Sequence, residues 1–346
     1  MSLFAGLDIS LEQTSVCIVD VAGTVIHEAK ISTEVETLCA ILLPYSDQMQ
    51  RIGLEAGPLA QHLYSELIEA GLPAICVETR HMAQVLRAQT INKTDRNDAR
   101  GIAQMMRVGL FKLVHVKTER SQRLKVLFTA RKVLKSKLLD VEADLRGVLK
   151  NFGIRLGKVT PRNFEEHVRE LASFDEFIAA VIEPVLIARK SMREQYDRLH
   201  CMLLDIARQD EVCKRLMTMP GVGAVVAITY RVMVDVPQRF RKSRSVGAHV
   251  GLTPKRYQSG EVDWSGRISK AGDPLLRASL YEAAQVLLSR VARPTSLRSW
   301  AMRMAKRRGR KKAVVALARK IGVILHRMWV DGTDFRWNPL PAPMVG

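Results

Sequence analysis

The sequence predicts a mixed α/β domain, followed by a pair of long helices and a mainly α-helical basic domain. Strand-like and helical apolar patterns alternate through residues 1–115. From Glu119 onward, apolar residues recur every three or four positions without Pro or Gly before Gly147. The net charge is −7 over residues 1–92 and +26 over residues 93–346. We therefore expect domains at 1–115, 116–215 and 216–335, and a disordered tail at 336–346.

The composition is that of a globular protein. The chain has 346 residues, of which 47% are hydrophobic, and this is enough to bury sizeable cores. It has no long uncharged apolar run, and Asp8 lies where a signal peptide would be basic or apolar. We expect a cytoplasmic protein with no membrane partner. The five cysteines are widely spaced without a CxxC pair, which favours reduced thiols, with Cys17 and Cys76 in the core.

The basic excess indicates a partner that carries many phosphates. A net charge of +26 on one segment exceeds what solubility requires, and counterion release drives such segments onto nucleic acid. A merely basic surface is the alternative. Binding to a membrane surface would concentrate the charge on one short amphipathic helix, whereas here it is spread along most of the chain. Nucleic acid is therefore the expected partner.

The N-terminal domain is predicted to begin with an antiparallel meander. Its strands are expected at 4–9, 15–20 and 24–27, with a carboxylate inside the first. Further strands are expected at 51–55 and 74–78, the second followed by a helix beginning near Arg80. This alternation predicts a mixed sheet with helices on its faces.

Four carboxylates in this domain require explanation. Asp8 and Glu55 interrupt or end apolar strands, where an unpaired charge is costly. Asp95 and Asp98 share one face at a predicted helix start. Taken singly, Asp95 or Thr94 is an ordinary N-cap and Asp98 a favourable first-turn acid. Together the four repel unless a cation binds, and Mg²⁺ prefers such oxygen ligands and supports phosphodiester cleavage. Their placement resembles ribonuclease H-like nucleases of the RuvC type.

The middle of the chain predicts two long antiparallel helices. The first is expected at 119–150 and the second at 175–215, with Pro184 as a kink or break. Together they would form a coiled-coil arm that mediates dimerisation and touches nucleic acid. The alternative is that their charged faces are only solvated surface.

The C-terminal part contains two predicted phosphate-binding segments and a basic run. The stretch Pro220-Gly221-Val222-Gly223 resembles the turn of helix-hairpin-helix modules, although ordinary helix connections use the same residues. Residues 246–273 are predicted to form a Gly/Ser/basic loop between two helices. The run 306–312 is predicted to contact the nucleic-acid backbone, with a solvated surface as the alternative. The residues expected to bind nucleic acid are Lys255, Arg256, Arg267, Lys270, Lys306, Arg307 and Arg308.

Two hydroxyl groups in this loop are candidate nucleophiles. An isolated loop serine such as Ser259 is most often part of ordinary turn chemistry. Tyr257 is the rival, and it would indicate a tyrosine recombinase, but the Arg/His/Arg constellation of that class is not evident in the sequence.

The combined motifs resemble one family. The four acids, two of them inside KTDRNDARGIA, precede a long-helix middle and the series MPGVG, VGLTP, YQSG and GRISKAGD. Together they resemble the DEDD-type transposases of the IS-one-ten insertion-sequence family, which are related to Piv-type DNA invertases. The resemblance covers residues 3–330.

The resemblance implies a fold, a reaction and partners. It implies that Asp8, Glu55, Asp95 and Asp98 hold Mg²⁺ in a RuvC/ribonuclease H-like domain and that Ser259 becomes covalently joined to DNA. It also implies donor and target DNA, a structured bridge RNA that supplies sequence specificity by base pairing, and a dimer or tetramer. In that assembly the acidic site of one subunit would approach the Ser259 segment of another.

Two other functions compete with this one. The first is a Mg²⁺-dependent, RuvC-like structure-specific DNA nuclease, in which water attacks and Ser259 is dispensable. The second is a non-catalytic nucleic-acid scaffold, in which the acids are helix caps and strand-end charges.

Overall fold

The computed structural model describes residues 2–79 and 94–337, and these divide into two compact units, Met1–Lys117 and Thr118–Gly346. The helix predicted near Arg80 and the tail residues 338–346 lie outside the described residues. The strands are β1 Leu3–Ile9, β2 Gln13–Val19, β3 Val25–Ser32, β4 Met49–Glu55, β5 Ala74–Val77, β6 Pro254–Ser259 and β7 Val262–Ile268. The described helices are α1 Val35–Leu42, α2 Ala60–Glu69, α3 Asp95–Val108, α4 Glu119–Asn151, α5 Phe164–Ala172, α6 Glu176–Gln209, α7 Glu211–Met217, α8 Ala224–Val234, α9 Arg244–His249, α10 Pro274–Ser289, α11 Ser296–Arg308 and α12 Arg310–Asp331.

The first unit is built on a five-stranded mixed sheet. Its strand order is β3-β2-β1-β4-β5. The first three strands pair antiparallel as the predicted meander, whereas β4 and β5 are parallel to β1 and to each other. Parallel neighbours need a crossover between them, and α2 provides the one from β4 to β5. The predicted mixed sheet is confirmed.

Helices cover both faces of this sheet. One core packs α1 and α2 against the sheet through residues such as Leu38 and Leu67. A second, separate core packs α3 through Ile102 and Met106. Cys17 lies in this second core, where burial raises the pKa of its thiol to about 12, so it is a core residue as predicted. The α3 face carries the candidate acidic site.

The second unit begins with the two predicted long helices, α4 and α6, which pack antiparallel. Phe128 of α4 packs with Leu203 of α6 in one core, while Leu149 packs with Ile182 in another. The intervening helix α5 was not predicted, and it closes the second of these cores. The antiparallel helix pair is therefore present, and its description as a coiled coil stays a prediction.

Pro184 does not end the second long helix, because α6 continues through it to Gln209. Proline removes one backbone hydrogen bond, and the packing of Ile182 and Leu186 on either side offsets that loss. The break falls instead at Asp210, whose carboxylate accepts a hydrogen bond from the Cys213 amide at 2.8 Å and starts α7. Of the predicted kink or break at Pro184, the break was therefore wrong, and the kink stays a prediction.

A buried arginine joins α5 to the long helices. The Arg189 side chain is 1% exposed, and its guanidinium lies 2.6 Å from a carboxylate oxygen of Glu165 and also pairs with Glu142. It stacks on the ring of Phe164 at 4.3 Å. Charge pairing and stacking together compensate the burial of this cation.

The remaining helices enclose the main core of the second unit. Helices α7, α8, α10, α11 and α12 contribute most of it, and the buried Tyr230 hydroxyl donates to the Gly322 carbonyl at 2.6 Å. The hairpin β6–β7 is almost wholly exposed. Within residues 2–79 and 94–337, no helix combines the length and the hydrophobicity needed to span a bilayer.

Candidate functional site

Helix α3 lies unusually close to β1 and β4, because two glycines face it. Gly6 and Gly53 are register partners on these parallel strands. A Cβ atom added to Gly6 would lie 2.2 Å from the carbonyl oxygen of Ala99 and 2.4 Å from the amide nitrogen of Ala103. A Cβ atom on Gly53 would meet side chains of the same helix. Glycine at both positions therefore lets the helix backbone rest on the sheet.

These glycines fix the direction of two predicted carboxylates. Side chains alternate along a strand, so Asp8, two residues after Gly6, projects from the face that α3 covers. Glu55 follows Gly53 in the same way. The leucines that precede the two acids are register partners, so the acids are neighbours at the carboxyl ends of β1 and β4. The repeated Gly-Leu-acid pattern, visible in the sequence but not used in the prediction, thus places two half-buried carboxylates side by side.

The other two carboxylates lie in the first turn of α3. Thr94 is the N-cap, and its hydroxyl accepts a hydrogen bond from the Asn97 amide at 3.2 Å. Asp98 is buried, and Ile102, four residues later on the same helix face, lies against Gly6 and Gly53, so Asp98 lies on the sheet-facing side. Asp95 is exposed, and its Oδ2 lies 3.0 Å from the Lys30 ammonium on β3. Asp8, Glu55 and Asp98 therefore lie on the same side of the sheet, while Asp95 is paired towards β3.

A two-arginine clamp holds α3 in place over β3. Glu28 accepts hydrogen bonds from Arg96 at 2.6 and 2.8 Å and from Arg100 at 2.8 Å. These bonds, the contribution of Arg100 first, lower the pKa of Glu28 to about 2. Glu28 is 15% exposed and stays ionised at neutral pH. The start of α3, which carries Asp95 and Asp98, is therefore fixed by charge as well as by packing.

The donor chemistry of the four acids fits a hard divalent cation, since carboxylate oxygens are the ligands that Mg²⁺ prefers. Among the described residues, no three carboxylate, imidazole or thiol groups stand close enough together to hold one ion. The arrangement thus provides carboxylates from Asp8, Glu55 and Asp98 on one side of the sheet without a closed coordination shell, and Asp95 pairs with Lys30 instead.

The segment predicted as a loop between two helices is instead a β-hairpin. Ser259 pairs with Val262, which leaves Gly260 and Glu261 as a two-residue turn. Gly260 has φ +55°, a conformation that such turns need and that glycine adopts without strain. Nearly all residues of both strands are exposed, so the sequence lacks the apolar alternation by which a strand is predicted. Ser259 is the exposed last residue of β6, beside the turn.

The hairpin has two different faces. Tyr257 and Trp264 pair across the strands with their rings stacked, 4.2 Å between centroids and 17° between planes. Ser259 is two residues from Tyr257 and shares this face, two cross-strand pairs closer to the tip. On the opposite face, Arg256 pairs with Asp263 at 2.6 Å. We call the first the aromatic face.

The aromatic face borders a basic groove with a volume of 2610 Å³, formed with α11 and α12. Thirteen of its 34 lining residues are Lys or Arg and two are Asp, which suits a polyphosphate. The predicted nucleic-acid residues that line it are Lys255, Arg267, Lys270, Arg307 and Arg308. Lys306 borders a smaller hollow, and Arg256 is not among the residues of either cavity. A role for these last two in binding stays a prediction.

The groove also contains bases that the sequence analysis missed. Four of them lie on α11 and α12 at spacings typical of one helix face, for example Arg303 with Arg307, and Lys320 with Arg327. A run of consecutive Lys and Arg residues is conspicuous in a sequence. A basic helix face becomes apparent only when residues three or four positions apart are compared. The additional groove residues are Arg303, Arg319, Lys320 and Arg327 on these helices and Arg244 and Arg336 outside them; Lys311 and Lys312 belong to the predicted run 306–312.

The Pro-Gly-x-Gly turn connects α7 to α8. Gly221 has φ +87°, and a Cβ atom there would lie 2.6 Å from the Ala283 carbonyl oxygen of α10. This glycine permits close helix packing, and contact of the turn with a phosphate stays a prediction.

An acidic mixed α/β unit and a helical unit with a basic groove define an enzyme that acts on DNA. A profile for DEDD transposases of the IS110 type matches residues 5–154, and one described as the transposase IS116/IS110/IS902 family matches residues 213–301. The first range contains all four acids, and the second contains the hairpin. The chain belongs to the IS110 family of insertion-sequence transposases.

Two curated relatives agree with this assignment. The transposase for insertion sequence element IS1111A of Coxiella burnetii (strain RSA 493 / Nine Mile phase I) is 28% identical over 341 residues, which cover 96% of this chain and 90% of that protein. The transposase for insertion sequence element IS1328 of Yersinia enterocolitica is 26% identical over 251 residues, 70% of this chain and 74% of that protein. The similarity to the first relative spans both units.

Proposed function

We propose that this transposase cuts and rejoins DNA through Ser259 as a covalent nucleophile, assisted by a Mg²⁺-binding carboxylate site and guided by a bridge RNA. The observation that carries the proposal is the position of Ser259. It lies exposed on the aromatic face of the hairpin, two residues beyond Tyr257, which lines the basic groove, and within the range that matches the transposase profile. Ser259 itself does not line the groove, so a DNA strand would reach its hydroxyl by continuing from the groove past Tyr257.

The proposed reaction exchanges phosphoester bonds. Ser259 Oγ loses its proton to a general base and attacks a DNA phosphorus atom, and the bond from phosphorus to a deoxyribose oxygen breaks. That oxygen takes up a proton and leaves as a hydroxyl, while the strand remains attached as a phosphoserine ester. The hydroxyl of another strand then attacks the ester and releases the serine. Each step forms one bond and breaks one, so no external energy source is required. Groove bases stabilise the phosphoryl charge.

Asp8, Glu55, Asp95 and Asp98 would hold the Mg²⁺. The DEDD character of the family suggests a divalent metal, and the all-carboxylate donor set suits Mg²⁺. When bound, the ion supplies Lewis-acid stabilisation of phosphoryl charge. Calorimetric titration of the protein with Mg²⁺ tests this: Asp8→Asn should weaken binding, whereas Asp47→Asn, an exposed acid outside the site, should not. Equal binding by both variants would contradict the assignment.

DNA and a guide RNA are the proposed nucleic-acid partners. The net charge of +26 over residues 93–346 is large enough for both DNA and a guide RNA. Protein co-expressed with the flanking DNA of its element should therefore purify with a specific RNA, which is absent when that DNA is omitted. Protein free of nucleic acid in both preparations would remove the support for a guide.

A second copy of the chain is the proposed partner of an apolar surface at the far end of the long-helix pair. Phe152, Phe174, Phe177 and Val181 are 54–77% exposed, although they are large and apolar. Exposed apolar clusters of this kind mark protein interfaces. The protein is therefore proposed to act as a dimer or tetramer.

A covalent-capture assay tests the reaction. The transposase is incubated with Mg²⁺ and a nicked element-end duplex, from which the leaving fragment diffuses and traps the intermediate. Wild-type protein should form an adduct that mass spectrometry locates on Ser259, and Ser259→Ala should form none. Cleavage without an adduct that survives Ser259→Ala but not Asp8→Asn would instead identify a nuclease that uses water. Absence of metal-dependent cleavage by wild-type protein would leave only a nucleic-acid scaffold.

A further inference from the structure

Exposing the stacked rings of Tyr257 and Trp264 to water costs free energy unless a binding partner covers them. The two rings are 45% and 53% exposed, although large aromatic side chains are mostly buried in folded proteins. The hairpin does not need them for a core, since nearly all of its residues are exposed. Their exposure therefore points to a ligand that covers them.

The rings are also held ready for such a ligand. A Cβ atom on Gly266 would lie 3.1 Å from Tyr257 Cε2 and 3.3 Å from Trp264 Cζ3, so the glycine lets both rings lie close to the strand. Because the two rings stack face to face, with 17° between their planes, each covers the inner face of the other and keeps a flat outer face that can continue the stack. A planar ligand can stack on it with little loss of side-chain entropy.

The surroundings of the pair identify the chemistry of that ligand. Tyr257 and Trp264 line the basic groove together with Lys255 and Arg267. Aromatic platforms inside a positively charged groove are the arrangement by which proteins bind single-stranded nucleic acid, because every base has a π face and every linkage a phosphate. A base paired inside a duplex does not present its face, so the platform requires an unpaired base.

We propose that Tyr257 and Trp264 stack one unpaired base of the DNA strand that Ser259 attacks. The inference rests on the proposed function for the identity of the strand, since Ser259 lies on the same face two cross-strand pairs nearer the tip. Stacking fixes the base, and the adjacent phosphate is thereby positioned at the hydroxyl. Tyr257 and Trp264 are positioning residues, and they select for DNA that is distorted or unpaired at the cleavage point.

The test uses a DNA duplex with one unpaired 2-aminopurine, whose fluorescence falls when it stacks on an aromatic ring. The full-length transposase should quench this duplex and bind it about 5- to 150-fold more tightly than the fully paired duplex. Tyr257→Ala and Trp264→Ala should lose both effects, and Trp264→Phe should retain most of them. Gln258→Ala, on the opposite face of the same strand, is the matched control and should behave as wild type. Thermal unfolding checks that each variant is folded.

The outcomes separate this inference from the proposed reaction. Ser259→Ala should quench normally, because stacking does not need the nucleophile. If quenching is lost in the ring variants but no Ser259 adduct ever forms, the stacking site stands and the serine mechanism fails. If the adduct forms while wild-type protein binds paired and unpaired DNA equally, the stacking site is refuted. Preferential quenching of the same unpaired base in RNA rather than DNA would also refute it.

Discussion

Replacement of Gly6 by alanine tests whether α3 positions the acidic site. The added Cβ would lie 2.2 Å from the Ala99 carbonyl oxygen, whereas ordinary contacts begin at 3.4 Å. The contact involves backbone, which cannot rotate away, so α3 must move by about 1 Å. Overpacking of this kind costs about 1–3 kcal/mol. The same shift carries Asp98 away from Asp8, and a 1 Å misplacement at a reacting site can cost about 10²-fold in rate.

The assays are urea unfolding and the rate of adduct formation on the nicked duplex. Gly147→Ala is the matched control: it lies within α4, no described atom stands within 4 Å of the added Cβ, and the change should stabilise by about 0.5–1 kcal/mol. Wild-type stability in Gly6→Ala would refute the close packing of α3. Reduced stability with an unchanged rate at a temperature where the variant is folded would refute the positioning role.

Four further results are expected. Because the pKa of Glu28 is lowered from 4.5 to about 2, its contribution to stability is complete above pH 4.5 and declines as pH falls towards 2. The difference in the free energy of unfolding between wild type and Glu28→Gln, measured by urea titration, should therefore shrink over that interval. Arg189→Ala leaves two partly buried glutamates without their cation and should lower the free energy of unfolding by up to about 3–5 kcal/mol, measured again by urea titration. Arg307→Gln should reduce the slope of log K for DNA against log salt by about 1, whereas Lys214→Gln, outside the groove, should leave it unchanged. Phe177→Asp should lower the mass measured by light scattering if the apolar surface joins two copies, and an unchanged oligomer would contradict that role.

The sequence predicted those features that depend on local periodicity. The meander and the long helix from Glu119 follow from two-residue and 3.6-residue apolar spacing, and the structure contains both. Pro184 was misjudged because propensity describes an isolated helix, whereas packing on both sides maintains this one. The hairpin was missed because its strands are exposed and therefore lack apolar alternation.

The same distinction applies to the candidate site. All four acids could be selected from the sequence, because charge within apolar strands and at a helix start is conspicuous. Their mutual placement could not, since it depends on register, and the pairing of Gly6 with Gly53 is a relation between distant segments. The groove residues of the segment 246–273 and of the basic run 306–312 could be selected from the sequence, whereas most of the others become neighbours only when α11 and α12 pack together.

The antiparallel pair of α4 and α6 has a mechanical consequence. With 33 residues at 1.5 Å each, α4 is about 50 Å long, so the pair acts as a strut of fixed length. One end is embedded in the core of the second unit at Phe128, and the other carries the apolar surface around Phe177. If two copies join at that surface, the strut sets the spacing between their reactive hairpins. Shortening both helices by seven residues, two turns, would preserve the packed face and bring each hairpin about 10 Å nearer the junction.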